Sequence, residues 1–270
     1  TDDVDNPLHA QAGKMGSPME GRDLHVGDFS KGTLPPTAPL AVSTQTLIGM
    51  SYSMKMDQDD RLCVGFIGEG GASLGEWHEA INFAAAQKLN MIFVLENNQW
   101  ALGTHVSEQS ATKRFALRGP GYGIPGISVF GNDPEELAAA GAWAAERARK
   151  GKGPSLVISD VVRLLPHSSS DDQRKYRSDE DLDKDKNRDP LLVFVKTCIH
   201  EKIVTQKDID KILGAVKTQV DLDAEWAESQ PDPNPSDAFK NVVLNINQHE
   251  IPKPNPNPNS GDKVVLVDAI

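Results

Sequence analysis

Cysteine is scarce in this chain. Two of the 270 residues are Cys, Cys63 and Cys198, far apart and without the spacing of metal ligands. That argues against a disulfide framework and a cysteine-built metal site. Reduced, buried thiols are the better reading, and they suit a reducing compartment. Basic runs are missing too. The 28 Lys and Arg are outweighed by 39 Asp and Glu, a formal net charge of -11. This balance argues against nonspecific nucleic-acid binding and against docking on an anionic membrane surface. No stretch has the length and apolarity of a transmembrane helix, and no signal peptide is visible. What is present is 38% hydrophobic and 25% charged residues, the composition of a soluble globular protein with one large core, or a domain with appendages.

Residues 1–35 have few apolar residues and many Gly, Pro and Asp, and read as loop. An α/β domain is expected over 36–200. "TAPLAVSTQTLIGMSYSMKM" (37–56) has small and apolar residues at helical spacing, with Pro39 in its first turn. "RLCVGFIG" and "MIFVLENN" are strands, and their continuous hydrophobicity suits parallel strands covered on both faces. Between them Leu74, Trp77, Ile81, Ala84, Ala85 and Leu89 mark one face of a helix. "GISVFGND" is a third strand and "SLVISDVVRLL" a fourth. The helix between those two has Asp133 as cap, Pro134 at its start and Gly151 as its stop. This alternation predicts a parallel sheet with helices on both faces. The run "HSSSDDQRKYRSDEDLDKDKNRDP" reads as a surface loop, and helical patterns resume from about Pro190 to Val220. A helical extension is expected over 201–248, a Pro/Asn-rich linker over 249–262 and the start of a further strand over 263–270. The polar start without Met and the strand-like "KVVLVDAI" at the end lead us to expect a longer parent chain.

The stretch "RLCVGFIGEGGASLGEWHEA" poses the chemical question. Glycines between strand and helix let a phosphate approach the backbone, yet Glu69 would repel one. One reading is a tight turn with no ligand. A dinucleotide fold is a second, with Glu96 placed to bind a ribose, although the glycines do not follow G-x-G-x-x-G. No Gly-Lys-Ser/Thr follows, so a P-loop fails more plainly. The third reading joins Glu69 at the end of one strand to Asn97-Asn98 at the end of the next. In a parallel sheet those ends share one edge. A carboxylate and a carboxamide there can hold a hard cation, which then neutralises a diphosphate near the following helix N-terminus.

Gly68-Glu69-Gly70 with Asn97-Asn98 resembles the thiamine diphosphate motif, which begins Gly-Asp/Glu-Gly and ends Asn-Asn. The wider runs "GEGGASLGEWHEAINFAA", "ENNQWALGTHVSEQ", "RGPGYGI" with "GND", and "RLLPHSSSDDQRKYRS" are similar to the alpha subunit of the decarboxylating first component of 2-oxo acid dehydrogenase complexes. The branched-chain type is closest, and the resemblance covers about 21–244. It implies thiamine diphosphate and Mg²⁺ as cofactors, with Glu69 and Asn98 as side-chain metal ligands and the Trp100 carbonyl as a third. Gly68, Gly70 and Gly71 would lie at the diphosphate, Leu40 by the aminopyrimidine, and Arg163 near phosphate. His167 would stand beside the reacting centre as a proton-exchanging group. Left to the loop alone, His167 reads as a solvated histidine and Arg163 as a surface residue or a partner of Asp171 or Asp172. Ser168 matches a serine phosphorylated in mitochondrial relatives, a regulation not expected here.

The resemblance further implies decarboxylation of a 2-oxo acid with transfer of the acyl group to a lipoyl group. Its implied partners are a beta-type subunit or fused beta domain, in an alpha-beta heterotetramer, and a lipoyl-bearing acyltransferase component. No nucleic acid or membrane is implied, and the location would be cytoplasmic, or the mitochondrial matrix in a eukaryote. Two departures stand out. Glu96 occupies a place where some branched-chain members have Arg, and the family's Tyr-Arg segment on the substrate side normally precedes the point where this chain begins. The group that activates the aminopyrimidine comes from the beta subunit, so this chain cannot complete the site unaided. Rival readings are a pyruvate or acetoin dehydrogenase alpha subunit, a catalytically silent assembly subunit, and a dinucleotide-binding oxidoreductase.

Overall fold

The computed structural model describes residues 10–17 and 19–240. The linker and strand expected over 249–270 lie outside the described residues, as does the end of the helical extension.

The first long helix, α1 (Val42–Met56), leads into strand β1 (Cys63–Gly68). Then come α2 (Gly75–Ala86) and β2 (Met91–Asn97), and a small hairpin made of β3 (Trp100–Ala101) and β4 (Thr104–His105). β5 (Gly126–Phe130), α3 (Pro134–Arg147) and β6 (Ser155–Asp160) complete the α/β part. Three helices follow: α4 (Asp179–Lys186), α5 (Pro190–His200) and α6 (Gln206–Ser229). The four longer strands pair in the order β1-β2-β6-β5, all parallel. Their register sets Gly68 opposite Glu96 and Asn97 opposite Asp160. The strand ends that carry the glycine and Asn-Asn motifs therefore share one edge, where ligands of such sheets bind.

Alternation along the strands divides the core. Cys63, Ile67, Phe93, Leu95, Leu156 and Ile158 pack with Ile48 of α1 and Trp77, Ala80, Ile81 and Ala84 of α2. The alanines let α2 lie close, while Trp77 meets Phe93 edge-on with centroids 5.3 Å apart. On the other face Ile92, Val129 and Val157 pack against Ala140 and Ala144 of α3. Asp133 caps α3, accepting from the N–H groups of Glu135 and Glu136, a contribution of about 1 kcal/mol. The left-handed Gly151 (φ 69°) ends the helical run. Helices thus cover both faces, but α3 packs mainly on β2, β5 and β6. Val64 (37%) and Phe66 (63%) of β1 stay exposed, on a strand that among the described residues is paired along one edge.

Three local expectations need adjusting. Pro39 precedes α1 instead of sitting in its first turn, because Ala41 takes a left-handed conformation (φ 67°) that delays the start to Val42. The run after His167 is not all surface loop. It contains α4, capped by Ser178 with three acidic residues in its first turn and Lys184 and Lys186 in its last, and it buries Gln173 and Arg177. α6 continues to Ser229, and its start is fastened by a capping box between Thr205 and Asp208. α5 buries no residue, and every residue from 210 to 222 of α6 is exposed, including Ile212, Leu213, Val216, Val220 and Leu222. Among the described residues no helix is long and apolar enough to cross a membrane.

Candidate cofactor and metal site

Glu69 is the first residue beyond β1, and the sheet carries it against the end of β2. Its side chain is 1% exposed. Oε2 accepts the backbone N–H of Asn98 at 3.3 Å, while Oε1 is buried without a hydrogen-bond partner. Burial pushes the Glu69 pKa up, against the lowering effects of hydrogen bonds from its own N–H and that of Asn98 and of Arg163 and His105 nearby. An orphaned, desolvated carboxylate oxygen at a ligand-binding edge is costly unless a cation or a proton meets it.

The two asparagines do different work. Asn97 Nδ2 donates to Asp160 Oδ1 at 2.7 Å and so ties β2 to β6. The Asn98 side chain instead accepts the Trp100 N–H at 2.9 Å, forming an Asx turn that starts the β3–β4 hairpin. Left-handed Gln99 and Leu102 shape that hairpin. Glu69, Asn98 and Trp100 are thereby brought together. The donor set is one carboxylate, one carboxamide and the main chain around Trp100. Among the described residues no group of three His, Cys, Asp or Glu is positioned to hold a metal ion. An all-oxygen set this small fits a hard cation such as Mg²⁺ that takes its other ligands from water and phosphate.

Leu40, Gly70 and Gly71 also assemble here. A Cβ on Gly71 would lie 2.8 Å from the Ile67 side chain and 3.7 Å from Leu40 Cδ1. A Cβ on Gly70 would meet Ala101 Cβ at 2.4 Å, so glycine lets the hairpin close over the loop. A Cβ on Gly68 would meet nothing within 4 Å. Beyond the loop, α2 begins at Gly75 with no side-chain cap from Leu74. Its first N–H groups thus keep the polarity that suits an anion.

The third wall is the segment after β6. Arg163 Nη1 donates to the Leu102 carbonyl at 2.8 Å and Nη2 to the Tyr176 hydroxyl at 2.7 Å, while Nε is buried without a partner. Arg163 thus reaches Asp171 only through Tyr176, whose hydroxyl donates to Asp171 Oδ2 at 2.5 Å. Asp172 pairs with Arg174 instead. Asp171 Oδ2 also accepts the His167 N–H at 2.9 Å. The Tyr176 hydroxyl and that N–H hold the Asp171 carboxyl below the usual carboxylate range. His167 itself is exposed, and its backbone is what this network fixes. Ser168 is exposed next to it, its hydroxyl 3.2 Å from that of Ser170. Glu96 is the penultimate residue of β2, on the face opposite Leu95. It is open to solvent on one side, yet the surrounding chain desolvates its carboxyl enough to raise the pKa.

The family model of the dehydrogenase E1 component matches residues 9–236. This chain belongs to the dehydrogenase E1 component family. It is 34% identical over 228 residues to the 2-oxoisovalerate dehydrogenase subunit alpha of Bacillus subtilis, a match covering 82% of this chain and 68% of that one. It is 40% identical over 157 residues to the 3-methyl-2-oxobutanoate dehydrogenase subunit alpha of Mycobacterium tuberculosis, covering 58% and 43%. With the pyruvate dehydrogenase E1 component subunit alpha of Rhizobium meliloti it shares 34% over 197 residues, covering 73% and 56%. The chain therefore spans less than two thirds of the second and third of these relatives.

For an E1 component chain, the site residues that sequence reasoning missed are those that act between segments. Tyr176 bridges Arg163 to Asp171, and its ring lies 5.5 Å from that of Trp100. Arg118, from "RGPGYGI", donates to the Ala72 carbonyl at 3.0 Å and so braces the turn after the glycine loop. Both lay within motifs quoted for the resemblance, but nothing in their spacing showed what they would touch.

Proposed function

We propose that this chain supplies the alpha-type part of the active site for oxidative decarboxylation of a 2-oxo acid. The carbon–carbon bond to the carboxyl group breaks and CO₂ leaves. The acyl group passes to a lipoyl group, whose disulfide is reduced. The observation that carries this reading is the buried, partnerless Oε1 of Glu69, joined through Oε2 to Asn98 at the mouth of a glycine loop. Thiamine diphosphate, held through Mg²⁺, would supply the carbanion chemistry when bound.

In this reading Glu69, Asn98 and the Trp100 carbonyl hold the metal. Gly68, Gly70, Gly71 and the start of α2 receive the diphosphate, with Leu40 alongside. The free Nε of Arg163 faces the same phosphate need, and His167 exchanges protons at the reacting end. A beta-type subunit or domain completes the site, and a lipoyl-bearing acyltransferase takes the product. The bare faces of α5, α6 and β1 support a partner, since exposed apolar surface of this extent marks interfaces. The branched-chain 2-oxo acids are favoured by the first relatives, and pyruvate is the second reading, favoured by the Rhizobium relative.

The test is reconstitution with a beta-type subunit, followed by decarboxylation of 3-methyl-2-oxobutanoate and of pyruvate. Faster turnover of the branched acid is expected. Preference for pyruvate would move the assignment to the second reading, and turnover of neither acid would overturn it.

A further inference from the structure

The segment 164–176 carries His167 and closes the site, yet it has little apolar anchorage of its own. Its fixing point is Arg177, whose side chain is 1% exposed. Nη1 donates to the Arg163 carbonyl at 3.0 Å and to Gln173 Oε1 at 3.3 Å, clasping both ends of the segment. The guanidinium also lies 5.5 Å from the centre of the Trp100 ring, on the hairpin that carries the candidate metal ligands. A cation this deeply buried needs a counter-charge. Two carboxylates one turn apart on α4 face it. Asp185 is 14% exposed and accepts from Nη2 at 2.6 Å. Asp181 is 44% exposed and lies 3.6 Å from Nε, which makes no hydrogen bond. α4 buries no residue, so apolar packing does not hold it in place. The ion pair with Arg177 ties it to the segment, beside a hydrogen bond from Asn132 Nδ2 to the Arg188 carbonyl just past its end.

We propose that Asp185 is a positioning residue of the site. Acting through Arg177, it keeps the guanidinium inside, under the Trp100 ring and against the Arg163 carbonyl, and so holds the His167 segment closed. Without that charge the guanidinium turns towards solvent, and both ends of the segment are released together. The link from this segment to cofactor binding rests on the proposed function; the closure of the segment does not.

Limited trypsin digestion of the full chain, without cofactor, reads the closure at Arg174 and Lys175, both exposed. Asp185→Asn should speed cleavage there roughly tenfold, as expected when a local structure opens without global unfolding. Cleavage at Lys211 and Lys217 on α6 should keep its rate. Asp181→Asn should stay within about twofold of wild type, because an exposed carboxylate contributes little. Asp185→Glu should recover most of the protection. Wild-type cleavage in Asp185→Asn, or a parallel rise at Lys211 and Lys217, would overturn the proposal. In the enzyme assembled with a beta-type subunit, calorimetry should show Asp185→Asn weakening Mg²⁺-dependent thiamine diphosphate binding, while Asp181→Asn does not. Equal affinity in the two variants would overturn the positioning role. A wild-type enzyme that binds no thiamine diphosphate would instead overturn the proposed function, and the digestion would still decide the closure.

Discussion

Replacing Glu69 with glutamine should make the metal-free protein more stable at neutral pH. The carboxylate is 1% exposed and one oxygen has no partner. Burial raises its folded pKa above the unfolded value near 4.5. The folded state therefore holds this proton more tightly than the unfolded chain does. That contribution is fully present below the unfolded pKa and is lost as pH rises through the folded one. A neutral side chain of the same shape escapes the loss. Leaving a buried polar group unsatisfied costs about 1–3 kcal/mol, and each kcal/mol moves the midpoint of a domain this size by about 2–4 °C. Scanning calorimetry in a chelator should show little difference between the two proteins near pH 4 and a gap of several degrees near pH 8, with Glu69→Gln the more stable. Mg²⁺ with thiamine diphosphate and a beta-type subunit should narrow the gap by stabilising only the carboxylate form. A glutamine variant that is less stable at high pH, or a gap that ignores pH, would refute the reasoning.

Gly70→Ala would force its Cβ to within 2.4 Å of Ala101 Cβ. Overpacking of this kind costs about 1–3 kcal/mol, so urea unfolding should show a lower midpoint. Trp77→Ala removes the side chain that packs edge-on against Phe93 beneath the glycine loop. A loss of about 3–5 kcal/mol is expected for an aromatic truncated in a core, measured by the same unfolding curves.

The sheet was legible because its strands are short apolar runs, and because α3 carries its cap, its proline and its stop in order. The closeness of Glu69 and Asn98 was legible because parallel pairing brings the two strand ends to one edge. The helix α4 was hidden by its own composition. Leu182 is its one apolar residue, so no periodicity marks it, and its ion pair to Arg177 is a contact that spacing cannot reveal. Spacing did not show that Gly70 also makes room for Ala101, brought close by a hairpin. The bare side of β1 was equally out of reach, because hydrophobicity shows that a strand is to be covered and not which element arrives. The bridge from Arg163 through Tyr176 to Asp171 joins residues 13 and 5 positions apart in a charged loop, where pairing rules of helices and strands do not apply.

The claim that Glu69 and Asn98 form a metal site for a diphosphate cofactor is tested most directly by calorimetry of thiamine diphosphate binding. The chain would be assembled with a beta-type subunit and titrated with and without Mg²⁺, as wild type and as Asn98→Ala. The account predicts binding only with Mg²⁺ in the wild type and none in Asn98→Ala. Unchanged affinity in the variant, or wild-type binding that needs no divalent ion, would contradict it.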